Sequence, residues 1–156
     1  MLRLRAFPLL LLLGASPVAA AAATPPALVA VVRDFVQRVS GTDANAFASL
    51  FTGAPSITDT LHPYHWQGKD AAAHYFADLR ADLHAVGWEG LRLASHGDPF
   101  VVSGSDVAYA AVPLLVEYAA KGESHQDEGI FTLSLQHEKS GWKITSATWT
   151  YTKPPS

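Results

Sequence analysis

KDAAAHYFADLRADLHAVGWEGLRLASH, residues 69–96, contains the change of period on which the fold turns. Up to Val86 the apolar residues Ala72, Tyr75, Phe76, Leu79, Leu83 and Val86 recur three or four apart, while Asp78, Arg80 and Asp82 point elsewhere. That spacing predicts a helix over 69–86, with Gly87 suited to its C-terminus. Beyond Gly87 the period drops to two and stays there. Strands are predicted over 91–96, 99–102, 107–118, 126–137 and 142–151. The turns between them are Gly97-Asp98, Ser103-Gly104-Ser105, Lys121-Gly122-Glu123 and Lys139-Ser140-Gly141.

Upstream, Thr24-Pro25-Pro26 reads as a helix start, with Thr24 as N-cap and proline in the first turn, where its missing N–H costs nothing. Leu28, Val32, Phe35 and Val39 form the buried stripe of this first helix, and Ser40-Gly41 ends it. Asp43 caps a second, shorter helix with Phe47, Leu50 and Phe51 on its apolar side, and Gly53-Ala54-Pro55 stops it. A short strand follows over 56–60, then an aromatic loop, His62-Pro63-Tyr64-His65-Trp66-Gln67-Gly68. The expected fold class is α+β, with three N-terminal helices packed on one face of a curved, mainly antiparallel sheet.

The stretch 107–118 has Tyr109 and Leu115 on one parity and Val112, Leu114, Val116 and Tyr118 on the other. A strand apolar on both faces is covered on both, so a homodimer is expected. The competing reading makes Pro113 a bulge that switches the pattern mid-strand.

At the N-terminus, Arg3 and Arg5, the apolar run to Leu13 and a small-residue tail have the three parts of a secretory signal over 1–22, cleaved between Ala19 and Ala23. The run is too short to span a bilayer. The expected product is a single domain over 24–153, periplasmic or secreted, with no membrane attachment after cleavage. Without cysteine there is no disulfide or thiol chemistry. Setting aside the two leader arginines leaves 9 basic residues against 14 acidic ones. With no basic stripe, nucleic acid is not an expected partner.

The order of elements, together with Val31-Val32-Arg33-Asp34-Phe35-Val36, Asp43 through Leu50-Phe51, Ile57-Thr58-Asp59, Trp66-Gln67-Gly68-Lys69-Asp70-Ala71 and Gly141-Trp142-Lys143-Ile144, resembles the NTF2-like superfamily, SnoaL-like and ketosteroid isomerase-like proteins among them. The resemblance implies a cone with an apolar pocket between helices and sheet, and often a dimer.

It also places Asp59 where ketosteroid isomerases keep their proton-moving carboxylate. That chemistry needs hydrogen-bond donors for the oxyanion. The matching positions here are Phe35 and, on or near it, Gly129, neither of which donates from a side chain; Asp127 offers a shifted alternative on the same strand face. This argues against isomerisation by that mechanism. Asp59 paired with His62 or His125 is the candidate acid–base pair. His65 and His74 also approach the pocket in this reading. The spacing Asp59, His62, His65 matches no compact metal motif, so no metal and no cofactor are expected. Phe35, Tyr64, Trp66, Tyr109, Asp127 and Phe131 are the candidate ligand-binding residues. His125, Asp127, Gly129, Phe131, Leu133 and Leu135 share one strand face that runs from polar to apolar, as a pocket mouth does.

Three functions follow as expectations: binding of a small, partly apolar molecule; an isomerase, cyclase or dehydratase using Asp59 with a histidine; or a homodimeric interaction domain with a filled pocket.

Overall fold

The computed structural model describes residues 24–153; the leader and its cleavage window, 1–23, lie outside the described residues. Three helices, α1 (Pro26–Val39), α2 (Ala44–Ala48) and α3 (Ala71–Ala85), pack against one sheet. Its strands are β1 (Phe51–Thr58), β2 (His65–Gln67), β3 (Trp88–Ser95), β4 (Phe100–Ser103), β5 (Val107–Ala120), β6 (Glu123–Glu138) and β7 (Gly141–Tyr151). The order across the sheet is β2-β1-β7-β6-β5-β3, with β4 beside β3 on the same edge of β5. Every pairing is antiparallel except β1 with β7. The fold is α+β, but the helices do not all precede the sheet: β1 and β2 separate α2 from α3.

Leu28, Val32, Phe35 and Val39 are all buried, as the spacing of α1 requires. Its N-cap is Pro25 rather than Thr24, and no side chain caps it; the Pro25 carbonyl accepts from Leu28 and Val29 N–H. Asp43 does cap α2, its carboxylate accepting from Ala46 N–H at 2.9 Å. That helix ends at Ala48, earlier than expected, and Phe51 already belongs to a strand. Gly53-Ala54-Pro55 is therefore not a helix stop but the irregular middle of β1. Pairing with β7 jumps from Phe51↔Ile144 to Ser56↔Ser146, so the segment bulges out of register. Trp66, expected in a loop, lies on β2 opposite Ile57.

In α3 the stripe is buried at Ala72, Tyr75, Phe76 and Leu83 but not at Val86, which is 54% exposed beyond the last turn. Arg80 joins α3 to the end of α1, its guanidinium donating to the carbonyls of Val39 (2.6 Å) and Gly41. Phe35, Phe47, Phe51 and Phe131 form the aromatic centre of the core, with Phe35 edge-on to Phe131 at 4.9 Å.

β5 and β6 pair without interruption from Val107↔Gln136 to Ala120↔Glu123. Pro113 keeps its place opposite Ile130, so there is no bulge there and the two-parity pattern is real. Ala108, Ala110, Val112, Leu114, Val116 and Tyr118 face the helices. Val107 and Tyr109 on the opposite face, with Phe100 and Val102 beside them on β4, are exposed.

Candidate functional site

Asp59 stands at the head of the β1–β2 hairpin, its N–H bonded to the Tyr64 carbonyl at 3.2 Å. One carboxylate oxygen accepts from Leu61 N–H (3.3 Å) and the Thr60 hydroxyl (3.2 Å), an Asx turn that fixes the side chain. The other accepts from the Tyr75 hydroxyl of α3 at 2.8 Å. Tyr75 is held in turn by Trp66, edge-on at 5.1 Å, whose indole N–H donates to Asp78 at 2.7 Å. Burial raises the Asp59 pKa from the ordinary carboxylate value, and the hydrogen bonds from Tyr75, Leu61 and Thr60 oppose that rise. Burial and the Asp59 charge together push Tyr75 well up, so it stays a phenol.

Asp59 forms the polar end of a cavity between α3, β3 and the helix-facing side of the sheet. Leu79, Leu83, Leu91, Leu93 and Val116 supply its aliphatic walls, and Trp88, Phe131, Trp149 and Tyr151 its rings. Its enclosed volume is about 60 Å³, widening to about 420 Å³ when the open mouth is counted. Of its twelve lining residues none is basic.

Two irregularities shape this cavity. Between Glu89↔Ala119 and Arg92↔Glu117, β3 carries one residue more than β5, and Gly90 in that bulge has φ +66°. The extra residue reverses the parity of the strand, so Trp88 faces the cavity along with Leu91 and Leu93. Deeper in, Gly129 makes room for Trp149: a Cβ at 129 would fall 2.3 Å from the indole and 2.7 Å from the Thr150 carbonyl oxygen. The indole fills the space that any side chain at 129 would need.

Tyr151, opposite Gly129 in register, has its pKa raised by burial and by the charges of Asp127 and Asp59, against a hydrogen bond with Trp149. Asp127 is itself buried and accepts from the Tyr118 hydroxyl at 3.0 Å. Tyr118 stacks on Trp88 at 3.5 Å, nearly parallel.

Residues 28–148 match the family model described as the SnoaL-like domain. The chain belongs to this family, within the NTF2-like superfamily. An NTF2-like protein with a cystatin-like fold from Novosphingobium aromaticivorans superposes with a TM-score of 0.66 at 15% identity, over 83% of this chain and 82% of that one. An NTF2-like superfamily protein from Salmonella enterica gives 0.67 at 14% identity over 83% and 89%. A ketosteroid isomerase-like protein from Erwinia carotovora gives 0.67 at 14% identity over 82% and 95%. At such identities the likeness is one of fold. No curated protein matches the chain by sequence.

In this SnoaL-like domain the cavity brings together Asp59 and Phe131 from the sequence-derived candidates. Phe35 touches Phe131 from the core side but does not line the cavity. Trp66 supports Tyr75 from behind. Tyr64 is 58% exposed in the hairpin loop beside His62, and Tyr109 lies on the opposite face of the sheet. Asp127 acts on Tyr151 but is not a wall. The histidines are elsewhere. His62 is exposed, His65 bonds Ser56 on the hairpin at 3.0 Å, His74 is exposed on α3, and His125 stacks outside on Tyr118. The structure therefore does not bring His62 or His125 to Asp59. Sequence reading left out Tyr151, whose signal was its parity: two residues from Trp149 in a strand that buries alternate positions.

Proposed function

We propose that this SnoaL-like domain binds a small, largely apolar molecule in the cavity beside α3, with one polar group of the ligand set against Asp59. The observation that supports this is a single, mostly buried carboxylate at the end of a space otherwise lined by leucines, valines and aromatic rings. We further propose that the domain works outside the cytoplasm, released from the leader over 1–22, and pairs through the outer face of β4 and β5.

Isothermal titration calorimetry with 4-methylphenol and 3-methyl-1-butanol tests the reading. Saturable binding to the wild type is expected, and Leu79→Trp, which fills the cavity from α3, should lower affinity at least about tenfold with Tm little changed. Binding that survives Leu79→Trp unchanged, or no binding of either probe, contradicts it.

A second reading, proton transfer at the same site, is favoured by one observation. Asp59 has its pKa raised and faces the same cavity as Tyr151, a phenol held in its protonated form. A carboxylate base with a phenolic donor is a workable acid–base pair without histidine. The readings separate at Asp59→Asn, which keeps binding of a neutral ligand and removes turnover.

A further inference from the structure

We infer that the cavity is a site for a small organic ammonium cation, an alkylated amine seated against the aromatic walls with its charge facing Asp59. The inference rests on the reading of this cavity as a ligand site and names the ligand class.

Aromatic rings enclose the space from several directions. Phe131 and Trp149 meet at 48°, and Trp149 and Tyr151 at 81°, with centroids 4.9 and 5.4 Å apart, so the three form a corner rather than a flat wall. Trp88 is stacked on Tyr118 at 3.5 Å, which fixes its plane, and is also among the residues lining the cavity. Ring faces carry negative potential, and cages of such rings recognise alkylated ammonium groups, whose spread charge is cheap to desolvate. A purely apolar ligand needs no carboxylate, and an anion is opposed by one.

The charges nearby agree. Tyr151 feels both Asp59 and Asp127, so a second carboxylate adds to the negative potential at this end. Arg80 is the basic group that acts on Tyr75, but its guanidinium is bound to the Val39 and Gly41 carbonyls behind α3 and does not line the cavity.

The rise in the Asp59 pKa is a property of the cavity without a cation. A bound ammonium group favours the ionised carboxylate, so binding lowers that pKa, and affinity falls as pH drops through its value in the free protein. The groups facing Asp59 are Tyr75 from α3 and Tyr151 from β7, both phenols with raised pKa, so the carboxylate is the one that titrates on the acid side.

Choline and its neutral isostere 3,3-dimethyl-1-butanol, titrated calorimetrically into the full domain, test the inference. Choline should bind about tenfold or more tighter at neutral pH, by attraction the alcohol lacks. The preference should shrink severalfold in Asp59→Asn and on acidification, and persist in Tyr151→Phe, which keeps the ring. Equal or tighter binding of the alcohol overturns the ammonium assignment and leaves the ligand-site reading standing. A preference lost in Tyr151→Phe but kept in Asp59→Asn also overturns the assignment. Binding of neither compound overturns both.

Discussion

Asp59 does two jobs that oppose each other. As the Asx residue of a tight turn it is satisfied locally by Leu61 and Thr60, and as the polar end of the cavity it is partly stripped of water. Because burial raises its pKa in the folded state, the native protein holds this proton more tightly than the unfolded chain does. Ionised Asp59 therefore subtracts stability at neutral pH, and the subtraction fades as pH falls through the folded value toward the unfolded one. Asp59→Asn should raise Tm near pH 7 and lose that advantage near pH 4; an equal shift at both, or a lower Tm near pH 7, contradicts this environment. The carboxylate itself was legible in the sequence through its place after Ile57-Thr58. Its partners were not. Histidine is the usual companion at neutral pH, whereas the structure supplies Tyr75, 16 residues on, and Tyr151 from the last strand. Both meet Asp59 only once α3 and β7 are packed.

At the scale of elements, the regular parts were readable and the irregular ones were not, and the irregular ones make the site. Reading by period assumes one parity per strand. The bulge at Gly90 breaks that assumption and turns Trp88 inward, so period alone starts the strand at Leu91 rather than Trp88. Gly53-Ala54-Pro55 has helix-stopping composition, yet β1 accommodates it as a bulge against β7. Gly129 shows the same economy in packing. Gly129→Ala forces its Cβ into the Trp149 indole and the Thr150 backbone, and should cost about 1–3 kcal/mol in chemical denaturation, the range of overpacked cores. A change within about 0.5 kcal/mol, as for a surface substitution, contradicts that packing. Tyr118 and Asp127 share the helix-facing side of the sheet, and their hydrogen bond holds one end of the wall that Trp88 completes.

At the scale of the molecule, the chain is a sheet with one face devoted to helices and cavity and another that carries an apolar patch on β4 and β5. Val102 lies opposite Tyr109 in register, with Phe100 and Val107 close by, all more than 40% exposed. The proposed pairing through this face would account for both parities of β5. Sedimentation should show a dimer that Val102→Glu with Tyr109→Glu converts to monomer, whereas a monomeric wild type contradicts the pairing. Fold and order of elements were thus open to sequence reading, because they depend on period. The cavity was not, because it depends on where one bulge and one glycine redirect side chains.

The most direct test of the central claim, that the Asp59 cavity is the ligand site, is a protein-observed NMR titration of labelled domain with 4-methylphenol. Saturable shifts confined to Asp59, Leu79, Leu91, Phe131 and Tyr151 are predicted. Shifts centred on Val102 and Tyr109, or none that saturate, would contradict it.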